Sequence, residues 1–161
     1  MSDVKQGRTD VVIGVVIGGG ASGAARAGKV LICQRPPGKS FAGYWEFPGG
    51  KREPRESIEQ CLRRELREEL AINVTPLRAL TTVDHDYPRG PIRLHPYVCL
   101  HAGGEPQLLA CQRVAWIDPP ALRNYQFPPA NDGLIAEAIE YLSAGSRLPR
   151  LPQVDFPAGS T

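Results

Sequence analysis

Apolar residues along this chain fall into two periods, and each period predicts its element. Residues 11–17 (Val-Val-Ile-Gly-Val-Val-Ile) are unbroken and β-branched apart from Gly14, the composition of a strand buried on both faces. Residues 30–34, Val-Leu-Ile-Cys-Gln, repeat that character after a small-residue turn over 18–28, so the pair predicts a hairpin. Residues 44–47 resume extended structure, and Pro48-Gly49-Gly50 turns the chain. From Ser57 the period changes. Ile58, Cys61, Leu62, Leu66 and Leu70 form one helical stripe over 58–70, with Ser57 as N-cap and Gln60 completing a capping box. Residues 80–87 and 92–100 read as antiparallel strands around Pro88-Arg89-Gly90-Pro91, and 114–117 as a further short strand. Residues 131–143 predict a second helix burying Leu134, Ile135, Ala138, Ile139 and Leu142. Residues 144–161 are rich in Pro, Gly, Ser and Arg without periodicity, and are expected to be a flexible tail behind a single domain, 1–143. Strands and helices mix without regular βαβ alternation. The predicted class is therefore α+β, a sheet sandwiched between two helices.

The polar face of the first helix is unusual. Glu65, Glu68 and Glu69 stand at i, i+3 and i+4, so they crowd one side and repel, by about 0.2–0.5 kcal/mol per pair. A multivalent cation reverses that sign. Hard carboxylate oxygens suit magnesium, which binds through one or two carboxylates plus substrate phosphates. Glu65 lies beside the apolar stripe and the other two flank it, which sets the carboxylates at the edge of the core. Arg64, four residues before Glu68, is expected to orient them, and Glu56 to sit favourably near the helix N-terminus. Taken as charge pattern alone, the helix also reads as a solvated one laced with Arg–Glu pairs.

Composition narrows the classes. The 161 residues are 42% hydrophobic and 22% charged with a net charge of +2, an ordinary globular chain with too little positive charge to argue for nucleic-acid wrapping or membrane attachment. Cys33, Cys61, Cys99 and Cys111 are isolated, without the spacing of a disulfide framework or a zinc site. The apolar run 11–17 is too short to span a bilayer and no signal peptide precedes it, so the cytoplasm is the expected location. The glycines of 18–28 do not make a phosphate loop, because no Gly-Lys-Ser/Thr follows and a strand comes next.

The 23 residues from Gly50 to Ile72 place Gly50, Glu56 and the run Arg64-Glu65-Leu66-Arg67-Glu68-Glu69-Leu70-Ala71-Ile72 at fixed spacing. That arrangement resembles the Nudix box: a glycine, five residues, Glu, seven residues, then Arg-Glu-aliphatic-any-Glu-Glu-any-Gly-aliphatic. Ala71 alone departs, standing where the family has glycine. Three further pieces resemble the MutT-type subfamily: Trp45-Glu46-Phe47-Pro48-Gly49-Gly50-Lys51, Asp86-Tyr87-Pro88 and Phe127-Pro128-Pro129-Ala130-Asn131. The resemblance runs from about Val11 to Leu142. It implies the Nudix α/β/α sandwich and a magnesium-dependent (or manganese-dependent) hydrolase of nucleoside triphosphates, releasing monophosphate and pyrophosphate, with oxidised purines such as 8-oxo-dGTP as substrates. Neither stable nucleic-acid binding nor a membrane is implied, and the choice between monomer and dimer stays open.

Residue by residue, the resemblance implies that Gly50 (through its carbonyl), Glu65, Glu68 and Glu69 form the metal site. One glutamate must also act as general base, with Glu65 favoured for it and Glu68 and Glu69 as principal ligands, roles the sequence does not separate. Asn131 would read the purine edge, its amide offering donor and acceptor; it also suits an N-cap of the last helix. Arg35 matches a phosphate-contacting arginine, Lys51 follows the box glycine and could meet phosphate, and Tyr87 falls where a backbone meets the base. Glu46 is carried over with its motif as a substrate contact. Two departures bear on this. Ala71 at positive φ would cost about 1–2 kcal/mol, so a shifted helix cap is expected, with Asn73 taking the left-handed position. The loop 108–113 lacks the acid that MutT-type enzymes carry there, Glu105 being the nearest one upstream, which leaves the number of metals open. Within the family, a CTP-type pyrophosphohydrolase shares almost as many pieces, an ADP-ribose hydrolase fewer. A catalytically silent nucleotide-binding module is disfavoured because all three box carboxylates remain.

Overall fold

The structure, a computed structural model, describes residues 7–143; the expected tail lies outside them. One mixed sheet of eight strands forms the middle layer. β1 (Thr9–Ile17) pairs antiparallel with β2 (Val30–Gln34) and with β4 (Gly49–Lys51). β2 also pairs β3 (Trp45–Glu46) and β8 (Arg113–Ile117). On its other side β1 runs parallel to β7 (Gly90–Gly103), which carries β5 (Asn73–Ala79) and β6 (Val83–Tyr87) antiparallel. α1 (Ile58–Leu70) covers one face and α2 (Asp132–Ser143) the other.

The unbroken apolar run of β1 has its explanation in these layers. Val12 and Val16 join Leu62, Leu66 and Leu70 under α1. Ile13, Val15 and Ile17 point the opposite way, into the core shared with Leu134, Ile135 and Ala138 of α2. A strand covered on both faces cannot alternate apolar with polar. Gly14 lets α1 settle closely, since a Cβ there would stand 3.1 Å from Leu66 Cδ1 and 3.2 Å from Leu62 Cδ1.

α1 occupies the predicted span, and its capping box is formed: Gln60 N–H donates to Ser57 Oγ (3.1 Å) and Ser57 N–H to Gln60 Oε1 (2.9 Å). Its far end corrects an expectation. The cap does not shift; Ala71 itself adopts the left-handed conformation (φ 56°, ψ 33°). Its N–H donates to Arg67 O (3.0 Å) and that of Ile72 to Leu66 O (3.4 Å), a glycine-type helix end closed by alanine, while Asn73 begins β5. β5 is a strand that periodicity missed, because Pro76 interrupts it. It is tolerated there on a strand paired only with β7, at an irregular register between Pro76 and Arg78. Leu80 lies outside β6 and fills the α2-side core instead. The turn 18–28 holds two short 3-10 turns. Among the described residues no helix is long and apolar enough to cross a membrane.

Candidate active site

Two glycines let β4 pass between β1 and α1. A Cβ on Gly49 would collide with the Val12 carbonyl, and one on Gly50 with the Glu65 carboxylate. The close approach brings Gly49 N–H to Glu69 Oε2 (3.3 Å). Glu65 and Glu69 are thus pressed against β4, whereas Glu68, 61% exposed, leans outward.

Arg64 organises this acidic end. Its guanidinium donates to Glu56 (2.6 and 2.9 Å), Glu65 Oε1 (2.9 Å), Glu68 Oε2 (3.2 Å) and the Lys51 carbonyl (3.1 Å). It is the orienting residue that the spacing predicts. Its hydrogen bonds hold the Glu56 carboxyl down to about 2. Glu56 also accepts from Glu53 N–H (3.1 Å), closing the loop before α1. Among the described residues, no three acidic, cysteine or histidine side chains are gathered closely enough to enclose a metal.

Glu69 is where the crowding shows. Burial lifts its carboxyl to about 8, the charges of Glu46 and Glu65 add to the rise, and the Gly49 N–H only partly offsets them. The loop lacking an acid packs at this end, with Gln107 N–H on Leu70 O (2.9 Å) and Leu109 N–H on Glu69 O (3.3 Å). Glu105 is not available there, since both its oxygens bind Arg26 (2.6 and 2.8 Å).

Beyond β4 opens a cleft of about 700 Å³. Arg35, Glu46, Gly50, Lys51, Tyr87 and Asn131 all line it, although Tyr87 and Asn131 lie far along the chain from the stretch 35–51 that supplies the others. Arg35 and Glu46 form a half-buried ion pair, and Arg35 Nε donates to Ser40 O (2.7 Å). Burial raises the Glu46 carboxyl, against the pull of Arg35. Asn131, 8% exposed, does not cap α2: its Nδ2 donates to Pro128 O (3.2 Å) within a 3-10 turn just before the helix. Tyr87 Oη accepts from Ala130 N–H (3.4 Å), which ties β6 to that turn, and burial raises its pKa. Sequence reasoning missed Ser40, Phe41 and Arg89, which also line the cleft. Arg89 was legible only as a turn residue, and Phe41 only as part of a loop.

The carboxylates of α1 do not themselves line the cleft; Glu65 and Glu69 stand behind β4, whose Gly49, Gly50 and Lys51 form part of the cleft wall, beside the Arg35–Glu46 pair and the Asn131 amide. The comparisons with known proteins state which class of protein this arrangement defines. The NUDIX domain family matches residues 22–137. The CTP pyrophosphohydrolase of Escherichia coli is 39% identical over 119 residues, 74% of this chain and 87% of that one. The 8-oxo-dGTP diphosphatase of Proteus vulgaris is 52% identical over 65 residues, a segment covering 40% of this chain and only 58% of that relative. A solved MutT structure, from work on the Aliivibrio salmonicida and Vibrio cholerae proteins, superposes with a TM-score of 0.63 at 33% identity, over 84% of this chain and 99% of that one. The chain belongs to the Nudix family and is a Nudix hydrolase with MutT homologues.

Proposed function

We propose that this protein is a magnesium-dependent nucleoside triphosphate pyrophosphohydrolase that converts oxidised purine nucleotides such as 8-oxo-dGTP to monophosphate and pyrophosphate. The observation that carries this reading is the shared cleft: Asn131 lines the same space as Arg35, Lys51 and Gly50, with the Glu65 carboxylate directly behind Gly50. A base edge and a phosphate chain can therefore be bound together.

The donor set fits a hard divalent ion. Glu65 and Glu69 converge on β4, the Gly50 carbonyl faces α1 with Cys61 Sγ 3.8 Å away, and Glu69 is buried beside the like charges of Glu46 and Glu65. Glu65, Glu69 and that carbonyl would hold the ion, and Glu68 would join by a side-chain rotation from its exposed position. Magnesium or manganese bound there neutralises charge on the phosphate oxygens. Glu65, fixed by Arg64 and shielded from bulk water, accepts the proton of the attacking water. Lys51 and the free side of Arg35 hold the phosphate chain for in-line displacement. Asn131, with one N–H committed to Pro128, is oriented to present the rest of its amide to the base edge.

A second reading has an observation of its own: the E. coli relative named for CTP covers most of this chain. Pyrophosphate release across a panel of 8-oxo-dGTP, dGTP, dCTP and CTP with magnesium tests both. The purine reading expects kcat/KM for 8-oxo-dGTP to lead the panel; a lead for CTP or dCTP overturns it.

A further inference from the structure

Phe41 is a bulky residue in a conformation that favours glycine. Only three non-glycine residues among those described have positive φ: Ala71 closes α1, Arg55 (φ 66°) turns the chain before it, and Phe41 (φ 56°) is the one aromatic. A left-handed bulky residue is a genuine outlier and persists only where its surroundings hold it. Here the surroundings are explicit. Arg35 N–H donates to Tyr44 O (2.8 Å), Gly43 N–H to Arg35 O (3.0 Å), Tyr44 N–H to Phe41 O (3.0 Å) and Arg35 Nε to Ser40 O (2.7 Å). The loop is pinned at its base, and Gly38 and Gly43 take the other positive-φ positions (84° and 82°).

The strained placement does not serve the core, for Phe41 belongs to neither hydrophobic cluster. Its half-buried ring lies in the wall of the cleft, 5.6 Å from the Tyr87 ring at 63° and 5.4 Å from Tyr44. Tyr87 is in turn backed by the His85 ring (4.2 Å, tilted by 52°) and held at its hydroxyl by Ala130 N–H. An aromatic corner thus stands beside the polar groups of Arg35, Glu46 and Asn131. A half-buried ring held outside both cores at a left-handed backbone offers a π-face to a flat heterocycle.

The geometry points to Phe41 as the stacking residue of this cleft, taking one face of a purine base whose edge meets Asn131 and Glu46. The inference rests on the nucleotide reading above and adds a division of labour to it. Stacking is indifferent to oxidation at the base edge, so Phe41 sets affinity for purine rings as such. Asn131 sets the preference between oxidised and ordinary guanine.

The test uses the full chain with Phe41→Ala, Phe41→Trp and Phe41→Gly, and reads KM for 8-oxo-dGTP, dGTP and dCTP beside the inhibition constant of inorganic tripolyphosphate, which has no base. Phe41→Ala is expected to raise KM for both guanine nucleotides by about tenfold and that for dCTP less, leaving the 8-oxo-dGTP to dGTP ratio and the tripolyphosphate constant in place. Phe41→Trp restores the KM values. Phe41→Gly relaxes the backbone, so it melts no lower than wild type yet binds as poorly as the alanine variant. Unchanged KM in Phe41→Ala, a parallel rise in the tripolyphosphate constant, or a large drop in the melting temperature of Phe41→Gly overturns the assignment. If the wild-type chain hydrolyses no nucleotide, the pyrophosphohydrolase reading has failed. Calorimetric titration of wild type and Phe41→Ala with dGMP then decides the stacking role alone, equal affinities counting against it.

Discussion

The carboxylate helix behind β4 and the cleft in front of it are built on opposite plans. The carboxylate side comes from one continuous stretch, Gly49 to Glu69, in which a turn, a capping box and a single helix bring Glu65 and Glu69 against β4. Its hub, Arg64, binds Glu56, Glu65 and Glu68 within a dozen residues. The side proposed to take the base gathers Arg35, Phe41 and Glu46 from one stretch and Tyr87 and Asn131 from two distant ones, joined by single contacts such as Ala130 N–H to Tyr87 Oη. The first plan depends on contacts a few residues apart, the second on contacts between distant segments. The Escherichia coli CTP pyrophosphohydrolase and the Proteus vulgaris 8-oxo-dGTP diphosphatase are both similar to this chain.

The contrast can be broken most forcefully at the acidic end. Glu69→Gln removes one charge from the set that would face a cation, and kcat is expected to fall by about 10²-fold or more in steady-state pyrophosphate release with the fold intact by circular dichroism. Near-normal turnover would remove Glu69 from the site. Chelation by EDTA should abolish wild-type turnover and magnesium restore it, and indifference to both would refute the metal reading.

The raised Glu69 carboxyl makes a pH prediction with a definite sign. Its folded pKa of about 8 exceeds the ordinary 4.5, so the folded state retains a proton that the unfolded chain has released. Metal-free stability should therefore fall as pH rises from about 4.5 to 8 and level off above that. Glu69→Gln should flatten this dependence in thermal melts. Magnesium competes for the same carboxylate, so its affinity should tighten over that window and plateau beyond it.

At the other end the expected effects are smaller and more selective. Asn131→Ala should lower the 8-oxo-dGTP to dGTP ratio of kcat/KM by about tenfold or more, since a hydrogen-bond readout is lost while the metal end is untouched. An unchanged ratio would refute the base-reading role. The smallest effect lies at the junction with β5. Ala71→Gly relieves a left-handed alanine and should raise stability by about 1 kcal/mol, a gain of about 2–4 °C in Tm by calorimetry, with activity unaltered.

What was legible in the sequence follows the range of the interactions concerned. β1, β2 and α1 could be read directly, because burial on both faces and a 3.6-residue period are written in consecutive residues. So could the acidic trio and the orienting role of Arg64, which depend on helix spacing alone. β5 could not, as Pro76 argues against a strand until β7 is present to pair with it. Nor could the cap at Ala71: propensity favours glycine there, but the backbone bonds to Leu66 and Arg67 hold alanine in the turn.

By itself, then, the amino-acid order determined the layered α+β core and the carboxylate helix, since both arise from periodicity and contacts a few residues apart. Only the tertiary structure decided that Arg35 pairs with Glu46, that Asn131 lines a cleft and bonds Pro128 O, and that a strained Phe41 stands against Tyr87. Those relations join segments up to a hundred residues apart. No local propensity encodes them; they exist once the sheet has brought β2, β3, β6 and the turn before α2 together.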